Sequence, residues 1–381
     1  MNTTSNPKLD GSARIPCLDG LRACSILLVL IGHLRGTHGF SALPGLQFFG
    51  DVANLGVRCF FVISGFLITH LLLKEFNQRG RISLKAFYVR RTFRIFPAFY
   101  TFFAVIVLLT LIGIISVPAL DLACAGTYTI NFLPRKAWEV GHLWSLAVEE
   151  QFYLLWPICL VALGIKRSRN IAVAALVLAP VLRIGTWYLL PEYRSLITKA
   201  FPTICDTIAT GCLLACFRDG LWKTGWYRTL LQSRGFVFIP ALVLLSNMFA
   251  SHTRPDLIFG QSIRNIGIAL CIDWCLRNAV SVPGRFLNWA PMVWIGALSY
   301  SLYLWQQIFL NRNSTALVCS FPLNVLLALS AATVSYYLIE RPFLRARVRL
   351  FPDPGQKRAQ RIPSILTRPE GVVESTVGTA P

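Results

Sequence analysis

The chain has 381 residues, of which 55% are hydrophobic and only 14% charged, with a mean hydropathy of +0.56 and a formal charge of +20. So little charge cannot cover the surface of a water-soluble domain of this length, which excludes an ordinary soluble protein and points to a lipid bilayer as the solvent. The positive charge fits nucleic acid or a membrane equally well until its distribution along the chain is known.

Apolar stretches of about 20 residues, enough to cross a bilayer as helix, occur at 18–39, 52–73, 95–117, 143–163, 171–190, 200–217, 236–250, 258–276, 291–310 and 321–339. The expected fold is therefore all-α: a polytopic integral membrane protein of about ten transmembrane helices. Residues 1–17 form a short cytoplasmic N-terminal segment, 18–345 the membrane-embedded domain, and 346–381 a polar, largely disordered cytoplasmic tail. The first 17 residues are polar and no small-residue cleavage site follows the first apolar stretch, so no cleavable signal peptide is expected. With both termini inside, 27 Lys and Arg fall on inner segments, 7 on outer loops, and Arg58, Arg183 and Arg264 within spans. That asymmetry is the positive-inside signature, and it assigns the basic charge to topology and not to a nucleic-acid partner. The eleven cysteines are scattered through apolar stretches with neither a CxxC pair nor His at ligand spacing, so they read as small buried hydrophobes and no metal is expected.

Ionisable residues inside spans are costly and each needs a reason. In the first span Arg22 and His33 are eleven residues apart. Eleven steps of 100° bring them to within about 20° of one face, separated by roughly 16 Å. The second span carries Arg58. The segment after it holds Arg79, Arg81, Lys85, Arg90, Arg91 and Arg94 with a single acid, a cytoplasmic face suited to phosphates or to anionic lipid. The fourth span carries Glu149 and Glu150, the sixth Asp206. Counted from the apolar ends, His33 and Glu149 each lie on the order of 10 Å below the outer face, with Arg58 and Asp206 at similar depth. Such a set marks a reaction centre or a translocation path, or a group of interhelical pairs that only fix packing. Trp144, Tyr153, Trp156, Tyr300, Tyr303 and Trp305 serve as interface anchors and packing or as a sugar-stacking wall.

LDGLRA at 18–23 with His33, GVRCFFVISGFLITHLLL at 56–73, FYVRRTFRIFPAFY at 87–100, HLWSLAVEEQFYLLWP at 142–157, WIGALSYSLYLWQQ at 294–307 and VSYYLIERPF at 334–343 follow one another along the chain. In this order they resemble the acyltransferase-3 family of integral-membrane acyltransferases, over about residues 15–350. The resemblance implies that His33 is the essential histidine, Arg22 its paired arginine and Glu149 the acidic residue. It places Arg91 and Arg94 at the basic positions after the second span and Ser64 at the serine of the FF-x-x-SG segment. Gln306 departs from the family, in which a histidine commonly follows the Trp. Members that modify peptidoglycan or lipopolysaccharide often carry an extra extracytoplasmic hydrolase-like domain. None is visible here, so the membrane domain is expected to complete transfer itself or to hand over to a separate protein.

The implied activity is O-acyl transfer, with acetyl from acetyl-CoA as the expected group, to a hydroxyl of a carbohydrate such as an exopolysaccharide, an O-antigen or a lipid-linked oligosaccharide. No cofactor is expected to stay bound; acyl-CoA is a substrate. Its phosphates are expected against Arg22, Arg91 and Arg94. His33 either deprotonates the acceptor hydroxyl or carries the acyl group, with Glu149 orienting the imidazole and Arg58 facing the oxyanion. The expected location is a bacterial inner membrane. A secondary transporter with a buried His/Glu/Arg/Asp network is the alternative, favoured by inverted repeats that this sequence does not display. A non-catalytic sensor and an unrelated protein-acylating membrane enzyme are further alternatives.

Overall fold

The computed structural model describes residues 15–40, 51–248, 250 and 256–351. Residues 1–14 of the expected N-terminal segment and 352–381 of the expected tail lie outside the described residues. Among the described residues 83% are helical and none is in a strand. An apolar chain that has no water to bond must satisfy its backbone internally, and the helix does so residue by residue.

The helices are α1 (Leu18–Leu34), α2 (Val52–Arg79), α3 (Leu84–Leu111), α4 (Ala119–Gly126), α5 (Trp138–Gly141), α6 (Leu143–Leu189), α7 (Phe201–Lys223), α8 (Gly225–Gln232), α9 (Phe238–Met248), α10 (Gln261–Arg277), α11 (Val282–Leu287), α12 (Ala290–Phe309), α13 (Leu323–Ser335) and α14 (Arg341–Leu350). Their ends have local causes. The Asp51 carboxylate accepts from Asn54 N to start α2, Gly80 at φ 68° stops it, and Ser83 Oγ accepts from Ala86 N to start α3. α3 therefore begins eleven residues before the apolar stretch expected at 95, and its basic first turns are helical. α1 ends at Leu34, short of the expected 39, because Arg35 is extended and Gly36 takes φ 87°. The fourth and fifth expected stretches run on as α6, broken only at Gly164 (φ 78°, ψ 164°), a conformation only glycine adopts readily.

Five segments are long and apolar enough to cross a bilayer: 52–79, 84–111, 138–189, 191–223 and 323–350. A sixth arises if α8 and α9, bent by 70°, form one broken span. Leu154, Leu155, Ile158 and Val161 are exposed along one side of α6, as a lipid-facing surface requires.

The largest helix contacts run in a row: α6 on α7, α7 on α2, α2 on α1, α1 on α12, α12 on α13. α3 closes the other side, where Tyr88 Oη donates to Leu154 O of α6 and Tyr300 Oη of α12 donates to Ile95 O. Glycines set the close approaches. A Cβ on Gly65 of α2 would lie 2.1 Å from Ile208 O of α7, one on Gly211 of α7 2.1 Å from Val62 O, and one on Gly296 of α12 1.9 Å from Asp19 O of α1. Such small-residue seams hold helices together where the hydrophobic effect gives no preference between helix and lipid.

Candidate active site

His33 stands one residue from the end of α1, and its Nδ1 is 2.9 Å from Gln306 Oε1 of α12. The amide orientation is fixed from behind: Gln306 Nε2 donates to Gln307 Oε1 (3.2 Å), and Gln307 Nε2 donates to Trp138 O (3.0 Å). The carbonyl side of Gln306 therefore faces the imidazole. Nδ1 carries the proton and Nε2 presents a lone pair. The edge of Trp138 packs on the ring at 6.1 Å.

His33 lines a cavity of about 710 Å³ with Asn54, His142, Trp144, Tyr303 and others, and an adjoining one of about 440 Å³ bounded by residues 134–138. His142 is buried in the wall; Nε2 is 3.1 Å from Leu304 O, and Nδ1 has no hydrogen-bond partner among the described residues. A second, narrower pocket of about 80 Å³ is lined by Arg22, Arg91, Arg94, Glu149, Glu150 and Tyr153 among others. Val57 and Tyr303 line both the 710 Å³ cavity and this pocket. The Tyr303 hydroxyl is held by Ser145 Oγ at 2.5 Å and by His142 O at 3.0 Å.

In the narrow pocket Tyr153 Oη donates to Ser64 Oγ (3.2 Å), which donates to Glu149 Oε1 (2.7 Å). The Arg91 guanidinium lies over the rings of Tyr153 and Phe87, at 5.1 and 5.8 Å. Arg22 is 3.7 Å from Asp19. Arg22, Arg91, Arg94, Glu149 and Ser64 are therefore brought together, with His33 in the next cavity. Glu149 does not orient His33; Gln306, the departure from the family pattern, does so. The expected common depth also fails. Gly32 abuts Ala53 on α2, Arg58 follows five residues along, and Ser64 with Glu149 eleven residues along, a spread of roughly 16 Å. The early end of α1 leaves His33 at the helix terminus, and Glu149 meets α2 at Ser64, six residues beyond Arg58.

Arg58 and Asp206 belong to a separate buried network between α2, α6, α7 and α10. Arg58 donates from Nε to Asn54 (3.0 Å) and from its terminal nitrogens to Thr207 (3.3 Å), Asn265 (3.2 Å) and Gln261 (2.7 Å). Asp206 receives both terminal nitrogens of Arg183 at 3.0–3.1 Å and Asn265 Nδ2 at 3.3 Å. With its donors so engaged, Arg58 does not face an oxyanion. It reaches the large cavity only through Asn54.

The sequence model of the acyltransferase-3 family, an acyltransferase domain, matches residues 15–341. The chain belongs to this family. Among curated proteins it is similar to the O-acetyltransferase OatA of Staphylococcus aureus strain MRSA252. The two are 29% identical over 385 residues, covering 92% of this chain and 61% of that protein. OatA of strain NCTC 8325 / PS 47 is similar to the same extent, 29% over 385 residues with the same coverage. The chain thus spans about three-fifths of the length of these relatives. No solved structure matches it.

The acyltransferase-3 motifs contain residues whose part the sequence does not reveal: Gln306 stands out only as a departure from the family pattern, and Gln307 and Glu340 do not stand out at all. Gln306 and Gln307 are adjacent amides inside an apolar span, a signal of the same kind as a buried charge. Glu340 ends a five-residue π-helical turn between α13 and α14, is buried, and accepts from Ser301 Oγ at 3.1 Å. An acid followed by Arg-Pro at the end of an apolar stretch looks like an interfacial residue, and only the π turn carries it inward.

Proposed function

We propose that this acyltransferase-3 protein is a membrane O-acetyltransferase that moves acetyl from acetyl-CoA to a hydroxyl of a carbohydrate acceptor. One observation carries the reading. A cavity containing a histidine of fixed tautomer and a pocket containing three arginines lie along one helix, meeting at Val57 and Tyr303. That is the layout needed to bring a phosphate-bearing donor and a hydroxyl acceptor from opposite sides to one point.

The termini are cytoplasmic, and the bundle crosses a bacterial inner membrane ten times, with α6 counted as two passages across its Gly164 break. CoA phosphates bind at the cytoplasmic end against Arg22, Arg91 and Arg94, which a guanidinium suits better than an ammonium. Glu149 and Ser64 hold the Tyr153 hydroxyl, and the Tyr153 ring in turn supports Arg91 before the donor arrives. The acceptor occupies the His33 cavity. Its hydroxyl proton passes to His33 Nε2 as the oxygen attacks the thioester carbonyl; the C–O bond forms, the C–S bond breaks, and the proton leaves on the CoA thiol. Gln306 fixes the imidazole through the other nitrogen, the role that a carboxylate or carbonyl plays behind many catalytic histidines.

The test uses inverted membrane vesicles supplied with labelled acetyl-CoA, comparing the natural protein with His33→Ala. Label is expected to pass to a membrane-associated glycan in the first and not in the second. Equal transfer in both would remove His33 from the chemistry, and solute uptake that survives the substitution would favour a transporter.

A further inference from the structure

We infer that the acceptor is anionic: the His33 cavity is arranged to hold a phosphate or carboxylate of the glycan beside the hydroxyl that is acetylated. This rests on the reading above and adds the acceptor's chemical class. The loops at the His33 end of the bundle carry seven Lys and Arg in the sequence. Five of them, Arg35, Arg135, Lys136, Lys199 and Arg312, line the two cavities that contain His33. Of the others, Arg254 lies outside the described residues, and Arg194 packs on Trp187, its Nε donating to Trp187 O at 2.9 Å and its guanidinium 4.6 Å over the ring.

This end of a membrane protein is ordinarily depleted of Lys and Arg, so topology does not account for the cluster. Nor does a shared loop: the five come from four separate connections, after α1, before α5, before α7 and after α12. Among the described residues Asp51 is the one acid lining either cavity, and its carboxylate caps α2 by accepting from Asn54 N. The nearby acids are also engaged: Asp121 accepts from Ala137 N, and Glu139 accepts from Asn311 Nδ2. The cations are held as well, with Lys136 Nζ donating to Leu133 O and Arg312 stacked 4.9 Å over Trp138. With five cations against one carboxylate, a concave, low-dielectric wall of net positive charge focuses its field into the cavity and draws in the opposite charge. Anionic lipid headgroups would be met by a flat rim; these side chains converge on the hollow that holds His33, which favours the acceptor.

The experiment uses the full chain in nanodiscs of phosphatidylcholine with acetyl-CoA and matched acceptor pairs. One pair is a uronate-bearing oligosaccharide and its methyl ester; the other is a sugar phosphate and the corresponding neutral glycoside. At low salt the charged member is expected to show about tenfold higher kcat/KM. The advantage should arise in KM and fade toward about 0.5 M salt. Lys199→Gln with Arg312→Gln should narrow the gap, and Lys136→Gln on another loop should do so independently. Whichever pair shows the larger gap identifies carboxylate or phosphate as the recognised group. Binding of the same pairs, followed by thermal shift without donor, decides the matter even if no acetyl is transferred. In that case the proposed function fails and this inference is judged alone. Equal use and equal binding of both members overturns it, as does a preference that the variants retain. A preference abolished by about 30% phosphatidylglycerol in the discs also overturns it, assigning the cluster to lipid.

Discussion

At the residue scale the central finding is that a neutral amide stands behind His33. An amide oxygen selects the tautomer and holds the ring, without the full charge that a carboxylate would place there. Gln306→Ala is therefore expected to lower kcat by about 10- to 100-fold, with little change in the KM for acetyl-CoA, because the arginine-lined pocket proposed for the donor is untouched. Steady-state kinetics at saturating acceptor would check this, and an equal rise in KM would show a collapse of the bundle instead. Lys136 supplies a second test. Burial, and then the neighbouring Lys199 ammonium, push its pKa down to about 8, against a smaller opposing effect of Asp121. A lowered lysine is charged below that pH and neutral above it. The KM for a charged acceptor should accordingly rise as pH passes upward through about 8, and this inflection should be lost in Lys136→Gln. The residues that a buried charge makes conspicuous (Arg22, His33, Glu149) were legible in the sequence. Their partners were not, because pairing depends on how far each helix extends: Gly36 ends α1 early and leaves His33 level with Ala53, out of reach of the Ser64–Glu149 pair.

At the scale of elements, the seam between α2 and α7 depends on two glycines facing each other's backbone. Gly65 and Gly211 leave no room for a side chain, and the obstructing atoms are main-chain carbonyls that cannot rotate away. Gly211→Leu should cost more than the about 1–3 kcal/mol of ordinary overpacking, and should be seen as loss of a cooperative melt in detergent. Gly220, nine residues further along the same helix, meets open space, and Gly220→Ala should leave the melt unchanged or raise it. All ten apolar stretches contain helix, so the existence of the long helices was readable from composition and length alone, while the short α4, α5, α8, α11 and α14 lie outside those stretches. Their limits were not. The basic first turns of α3 have no apolar signal and are helical because Ser83 caps them, while the break at Gly164 and the π turn before Glu340 leave no mark in hydropathy.

At the scale of the whole molecule, the row of helices from α6 to α13 leaves hollows of very different size on the two sides of Val57 and Tyr303. The arginine-lined pocket, at about 80 Å³, is much narrower than the cavity of about 710 Å³ beside His33. If CoA binds there as proposed, binding should move α3 or the side chains of the arginine cluster, and transfer should be slower in variants that tether α3 to α6. The narrow place has a further consequence. Under the proposed function the two hollows open to opposite faces of an energised membrane, and Val57 and the pinned phenol of Tyr303, which line both, stand between them. Under that function their size would hold back protons as well as shape a substrate path. Val57→Gly with Tyr303→Ala should make sealed vesicles dissipate an imposed pH difference faster than vesicles holding the natural protein, even with no donor or acceptor present.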